Sequence, residues 1–345
     1  MPCYNPMIAE RTDEVNPKTG KNYVRFLRSV KNAGVPDDVW RDFGEALAWS
    51  VDYETGEFIN HAIVLPCGQC LGCRTQYAAQ WANRIMIEAM DYESVYFLTL
   101  TYDDEHVPRH IAKDGHTVFS LEPEDFKLFQ KRLARHQAYH KDNRLRYYYV
   151  GEYGETFHRP HGHFVEFGLL LDDVVEDHRN KHGRMIHTSK NISDIWGKGI
   201  VEVEPITWEL AAYVARYTVK KLGRKETDFY SSQNLVPEFS RMSLKPAIGF
   251  KYFDEHCREI YVNDEILLPL ATGLRKVKPP RFYDNKYDDI YPSDMAEVKG
   301  NRQKIAKEQL KLKLDRFSGS YLELLHNEEV VFKNRTKSLR RELEL

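Results

Sequence analysis

The sequence predicts an α+β fold: an antiparallel sheet of four to five strands in β-α-β-β-α-β order, the split βαβ or ferredoxin-like arrangement, with helices on its faces. Three observations carry this. Apolar periodicity alternates between strand and helix periods in that order between residues 76 and 225. Two strand-like runs, 144–151 and 161–170, are separated by nine residues, short enough for an antiparallel, hairpin-like pair. At 345 residues, 42% apolar and 30% charged, the chain can bury one large core or two modest ones.

Residues 1–75 are polar, turn-rich and weakly periodic, and end in Pro66-Cys67-Gly68-Gln69-Cys70-Leu71-Gly72-Cys73. Next, Ala78, Trp81, Ala82, Ile85 and Ala89 recur at helical spacing, which predicts an amphipathic helix. Val95 to Tyr102 is β-branched and aromatic without a breaker, so it is a strand that stops at Asp103-Asp104. Ser120 is placed to cap a helix with Pro123 in its first turn and Phe126, Phe129 and Leu133 on one face. The strands Arg144 to Gly151 and His161 to Leu170 follow. A short helix around Ser193 to Trp196, a strand Ile200 to Glu204 and a helix from Thr207 to about Leu222 complete the core. Four regions result: an N-terminal segment (1–75), a core domain (76–225), an irregular extension (226–295) and a charged helical tail (296–345).

Composition excludes several classes. No apolar run approaches the roughly 18–20 residues that span a bilayer, and the start, MPCYNPMIAERTDE, has no signal-peptide pattern, so a cytoplasmic location is expected. The 50 Lys and Arg against 52 Asp and Glu give a net charge of −2, which does not by itself mark a nucleic-acid binder. The five cysteines are too few and too unevenly spaced for a secreted disulfide scaffold.

Three groups of residues can carry chemistry. His161 and His163 flank Gly162 at the start of a strand, so both imidazoles project from one face. Glu152, at the end of the antiparallel neighbour, can add a carboxylate, with Glu155 as a competing third ligand. Two imidazoles and a carboxylate leave positions for water and a phosphate oxygen, which suits Mg²⁺ or Mn²⁺ as a Lewis acid. On the last core helix Tyr213 and Tyr217 stand at i and i+4, so their hydroxyls can visit one site. A phenol with pKa near 10 is about 0.1% ionised at neutral pH, a cost of roughly 4 kcal/mol that nearby cations such as Lys220 and Lys221 offset. The competing interpretation is a core-facing aromatic pair beside solvated cations. Finally, Cys67, Cys70 and Cys73 at C-x2-C-x2-C spacing, with Cys3 as a fourth thiolate, fit a structural Zn²⁺ site; free thiols and an iron–sulfur cluster are the alternatives.

Taken together, the His161-Gly162-His163 strand, the upstream strand ending in Glu152, the strand Phe97-Leu-Thr-Leu-Thr-Tyr102 and the later helix Tyr213-Val-Ala-Arg-Tyr217-Thr-Val-Lys220-Lys221 resemble the ordered motifs of the HUH endonucleases. The two-tyrosine motif resembles that of rolling-circle replication initiators of small single-stranded DNA phages. The Met-Pro-Cys-Tyr-Asn-Pro opening, the cysteine run and Arg159-Pro-His-Gly-His163 are similar, more narrowly, to the microvirus initiators of the gokushovirus group. Residues 1–260 carry the resemblance, most strongly 95–222. One departure is Gly162, where the family has a bulky apolar residue, so this strand is expected to lose packing there.

The resemblance implies a metal-dependent transesterification. One tyrosine attacks a phosphodiester of the single-stranded origin, leaving a 5′-phosphotyrosine and a free 3′-hydroxyl; the second later cuts the regenerated origin. It implies Glu152, His161 and His163 as metal ligands, Tyr213 and Tyr217 as nucleophiles and Lys220 as an electrostatic helper. Arg216, Lys221 and Arg224 are candidate DNA contacts, and a host helicase and polymerase are candidate partners. The rival readings are a non-catalytic single-stranded nucleic-acid-binding protein on the same fold and a metal-dependent phosphoester hydrolase with structural tyrosines.

Overall fold

The structure is a computed structural model. It describes residues 3–17, 20, 22–29, 62–137, 145–154, 157–180, 183–220, 229–270 and 273–336, with backbone only at Arg28, Ala62 and 217–220. In chain order its elements are β1 (Met7–Val15), β2 (Asn22–Ser29), β3 (Ala62–Leu65), α1 (Leu71–Ala89), β4 (Val95–Tyr102), β5 (Arg109–Ile111), β6 (Thr117–Phe119) and α2 (Pro123–His136). They continue with β7 (Arg146–Tyr153), β8 (Pro160–Phe167), β9 (Val174–Arg179), β10 (Met185–Ser189), α3 (Lys190–Trp196), β11 (Gly199–Pro205), α4 (Trp208–Lys220) and β12 (Phe239–Met242). Last come α5 (Phe250–Asn263), β13 (Ile266–Leu270), β14 (Gly273–Val277), α6 (Arg281–Ile290), α7 (Pro292–Asp315) and α8 (Tyr321–Arg335). The chain divides into two compact units, Tyr77–Asp289 and Met1–Gln76 with Ile290–Leu345.

The unit Tyr77–Asp289 is built on an antiparallel sheet in the order β12-β7-β8-β4-β11-β10-β9. It is α+β as the sequence predicts, but the sheet has seven strands among the described residues rather than four to five. The hairpin β9-β10 extends one edge and β12, a four-residue strand paired to β7, extends the other. Strand parity sorts the side chains. Leu98, Leu100, Tyr149 and Phe164 face one side with Phe126, Phe129 and Leu133 of α2 and Ile192 and Trp196 of α3. Phe97, Tyr148, Val150, Val165 and Phe167 face the other with Ala82 and Ile85 of α1 and Leu210, Ala211 and Val214 of α4. Each fully buried phenylalanine in these layers contributes about 1.5–3 kcal/mol by leaving water.

Several local expectations are corrected. Helix α2 is capped by Glu122, whose carboxylate accepts from the Glu124 amide, with Pro123 in the first turn. Ser120 lies two residues too early; its hydroxyl accepts from the Val236 amide at 3.2 Å instead. The stretch 226–290 is more regular than its scattered aromatics and prolines suggest, since it holds β12, α5, β13, β14 and α6.

The second unit contains the three-stranded antiparallel sheet β2-β1-β3, which weak periodicity concealed. Two consecutive residues of β1, Ile8 and Ala9, are buried, so the alternation by which a half-buried strand is recognised is broken there; the register with β2 also slips at this point, leaving Leu27 of β2 unpaired. Ile8 packs with Leu314 of α7 and with Tyr321 and Leu325 of α8. Helix α8 starts on a capping box, in which Ser320 and Glu323 satisfy each other's backbone amides.

Candidate metal centre and tyrosine helix

The register of three adjacent strands assembles the site. His161 lies between Glu152 of β7 and Thr101 of β4, and His163 between Val150 and Thr99. Parity therefore sends Glu152, His161, His163 and Thr99 to the face that α4 covers. Glu152 is 1% exposed, and its Oε1 lies 2.6 Å from His161 Nε2 and 2.8 Å from His163 Nε2.

The other ring nitrogens are occupied. His161 Nδ1 donates to the Arg159 carbonyl at 3.1 Å, which leaves Nε2 as the atom directed at the shared site. His163 Nδ1 is 3.1 Å from Thr99 Oγ1. The His163 ring stacks on Phe97 with centroids 5.3 Å apart and meets His161 edge to face. Backbone, hydroxyl and ring contacts thus fix both imidazoles.

The donor set fits a divalent cation. One ligand atom from each of Glu152, His161 and His163 lies within 4.8 Å of the others. Glu152 Oε2 is buried without a hydrogen-bond partner, an orphaned acceptor whose desolvation a cation would compensate. Electrostatics agree. Burial would raise the Glu152 carboxyl, but positive charge at His163 and hydrogen bonds from both imidazoles hold it far below the usual range. Burial lowers His163, whereas at His161 the hydrogen bond and charge of Glu152 outweigh burial and raise its pKa.

Helix α4 brings in a phenol. The Tyr213 hydroxyl donates to Glu152 Oε1 at 2.8 Å and lies 3.3 Å from His163 Nε2. The Arg216 guanidinium carbon sits 5.3 Å from the Tyr213 ring centroid, and Arg216 Nε is buried without a hydrogen-bond partner. The backbone of Tyr217 and Lys220 continues α4, but their side chains lie outside the described residues, as do Lys221, Arg224 and Glu155. Thr99 and Arg159 were not singled out by sequence reasoning. Thr99 shares the parity of Phe97 within a recognised strand, and Arg159 precedes the histidines by two residues; those were the available signals.

Gly162 does not leave a packing gap. A Cβ there would lie 2.8 Å from ring carbons of both Phe126 and Phe164. The position is already filled by Phe126, which reaches in from α2. Gly151, its direct cross-strand partner, admits the Phe239 ring in the same way.

The four cysteines also converge. Sγ atoms of Cys3, Cys67, Cys70 and Cys73 all lie within 4.8 Å of one another. Cys257 is outside this group and, like the four, is not in a disulfide.

Comparison with known proteins gives a consistent result. The family model for replication-associated protein ORF2/G2P matches residues 95–222, from β4 through α4. The chain is 33% identical over 295 residues to replication-associated protein ORF2 of Spiroplasma virus 4, spanning 85% of this chain and 89% of that protein. It is 32% identical over 243 residues to replication-associated protein VP4 of Bdellovibrio phage phiMH2K, spanning 68% and 71%. Replication-associated protein ORF4 of Chlamydia phage 1 is 29% identical over 224 residues, 64% of this chain and 53% of that protein. No solved structure matches the chain.

Proposed function

The chain belongs to the replication-associated protein family of small phages, and from that premise we propose that it initiates rolling-circle replication by nicking and rejoining single-stranded DNA at the origin. The observation that carries this reading is the Tyr213 hydroxyl, 2.8 Å from the one carboxylate oxygen that both histidines share. A nucleophile and a cation site meet at one point, which neither a binding module nor a water-using hydrolase requires.

A Mg²⁺ or Mn²⁺ ion held by Glu152, His161 and His163 would supply Lewis-acid polarisation of the scissile phosphate. The protein does the rest. Tyr213 Oη attacks phosphorus, the bond to the 3′-oxygen breaks, and the products are a 5′-phosphotyrosine and a free 3′-hydroxyl. Glu152 Oε1, which accepts from the Tyr213 hydroxyl, aims the phenol at the cation site; the phenolic proton passes to solvent, and the leaving 3′-oxygen takes one up from it. The Arg216 cation above the ring favours the phenolate, and Lys220, two turns further along α4, adds positive potential from the side of Tyr217. Tyr217, one turn or about 6 Å further along α4, is the second nucleophile for the closing cut. Release of the strand then returns a 3′-hydroxyl to attack the first adduct.

The order β7-β8-β4-β11, with α2 between β4 and β7 and α3 between β8 and β11, supports the split βαβ, HUH-type reading of residues 76–225. Lys221, Arg224 and Arg216 contact phosphates of the bound strand, and a host polymerase extends the 3′-hydroxyl behind a host helicase. The proposed site of action is the host cytoplasm, where the phage genome is copied; no helix among the described residues is long and apolar enough to cross a membrane.

The test mixes purified protein with labelled single-stranded origin DNA and Mg²⁺ or Mn²⁺ and looks for a denaturant-resistant adduct. Wild-type protein forms it and the double variant Tyr213→Phe, Tyr217→Phe does not. An adduct that survives in the double variant, or none with wild-type protein, overturns the reading.

A further inference from the structure

The nicking chemistry leaves the cysteine cluster unused. We propose that Cys3, Cys67, Cys70 and Cys73 hold one Zn²⁺ ion as a closed tetrathiolate that fixes the fold of the unit formed by the two chain ends and takes no part in catalysis.

Distance is the first support. Four sulfurs drawn from positions 3 and 67–73 lie within 4.8 Å of one another. Cys3 and Cys70 Sγ are 3.8 Å apart. A tetrahedron with Zn–S bonds of about 2.3 Å has edges of about 3.8 Å, so this pair already stands at the ligand separation and is far too long for a disulfide.

The backbone supplies a second, independent support. The Cys67 amide donates to Cys3 Sγ at 3.2 Å, the Tyr4 amide to Cys70 Sγ at 3.4 Å, and the Gln69 and Cys70 amides to Cys67 Sγ at 3.4 and 3.2 Å. Amides aimed at sulfur favour thiolate over thiol and orient the remaining lone pairs, which is how second-sphere groups prepare a metal ligand. Gly68 makes this turn possible. Its φ of +72° belongs to the left-handed region and swings the next two amides back toward Cys67. Cys73 enters from the first turn of α1.

Donor chemistry selects the ion. Four thiolates without a carboxylate or imidazole suit soft or borderline ions and reject Mg²⁺, Ca²⁺ and Mn²⁺, so the site does not compete with Glu152, His161 and His163 for the same metal. A cubane iron–sulfur cluster holds its cysteine sulfurs farther apart than these four. With four protein ligands no position is open to substrate, which marks the site as structural. The apolar cluster that joins the two chain ends among the described residues is small, with Ile8, Leu314, Tyr321 and Leu325 buried at its centre, and Tyr4, next to Cys3, meets Phe332 of α8 at 6.2 Å. A metal bridge from Cys3 to residues 67–73 holds that contact closed.

The test uses the full chain, purified under reducing conditions without chelator, in the His161→Ala, His163→Ala background so that the nicking site holds no metal. One zinc per chain is expected, retained by the further change Cys257→Ser and lowered at least tenfold by Cys3→Ser or Cys70→Ser. Because a cysteine variant can fail by misfolding, wild-type protein is also exchanged with Co²⁺ and read by absorption. The intense d–d and sulfur-to-cobalt charge-transfer bands of a tetrahedral thiolate site are expected. Their absence, iron in place of zinc, a metal-free cluster, or full zinc in the Cys3→Ser protein would each overturn the proposal.

Discussion

Substituting Gly162 tests the argument that the space between the two histidines is already occupied. In Gly162→Ala the new methyl begins 2.8 Å from Phe126 Cε1 and Phe164 Cε2, against an optimal carbon–carbon separation of about 3.5–4.0 Å. Neither ring can yield cheaply. Phe126 stacks on Trp196 at 5.8 Å and meets Phe239 at 6.0 Å, while Phe164 stacks on Tyr149 at 4.6 Å. Overpacking of this kind costs about 1–3 kcal/mol, and relief of glycine's strand penalty returns roughly 0.5–1 kcal/mol. The net loss is centred on about 1 kcal/mol and is at most about 2.5 kcal/mol, a fall in melting temperature of roughly 2–4 °C per kcal/mol for a unit of this size. Urea unfolding followed by tryptophan fluorescence measures it directly, since Trp196 abuts Phe126. Shortening the opposing ring with Phe126→Leu makes room, so the double variant is more stable than the sum of the single effects by about 0.5–3 kcal/mol. A Gly162→Ala protein as stable as wild type, or strictly additive effects, would refute the reasoning.

Three further outcomes follow from the same geometry. Thr99→Val removes the hydroxyl beside His163 Nδ1 and lowers Mn²⁺ affinity by about 10–100-fold while Thr99→Ser retains it, as calorimetric titration would show; equal affinities would contradict the positioning role. The cation must displace a proton from His161, whose pKa is raised, so Mn²⁺ affinity falls about tenfold for each pH unit below that value and levels off above it; a pH-independent affinity would contradict the ligand assignment. Glu166 is buried, accepts from Gln130 Nε2 at 3.1 Å, and burial pushes its carboxyl well above the usual range. Its neutral form stabilises the fold fully below the unfolded carboxylate value, and that contribution declines by about 1.4 kcal/mol per pH unit as pH rises toward the folded value. Glu166→Gln therefore flattens the loss of stability above about pH 5, measured by urea unfolding across pH; an unchanged slope would show that Glu166 is ionised.

What could be read from the sequence was local. Strand β4 was predicted to the residue because Asp103 and Asp104 punctuate an unbroken β-branched and aromatic run. The convergence of Glu152, His161 and His163 followed from strand parity and a short connection, and needed no knowledge of the remaining sheet. Failures arose where a partner distant in sequence decides the outcome. Gly162 by itself implies lost packing, whereas Phe126 of α2, distant in sequence, fills the space. Ser120 has the chemistry of a helix cap, yet a strand-to-loop contact with Val236 claims it. The consecutive burial of Ile8 and Ala9 removes the alternation that would have revealed the N-terminal sheet. Thr99 offers only its parity within β4, because its role exists through the register that sets it opposite His163.

The central claim is that the Tyr213 phenol, held against Glu152 and His163, is a nucleophile toward DNA. Its most direct measurement is mass-spectrometric mapping of the covalent product after wild-type protein reacts with single-stranded origin DNA and Mn²⁺ and both are digested. The account predicts a peptide carrying a 5′-linked nucleotide on Tyr213, absent from Tyr213→Phe and from His161→Ala, His163→Ala. A nucleotide on a residue other than Tyr213 or Tyr217, or cleaved DNA with no protein-linked nucleotide, would contradict it.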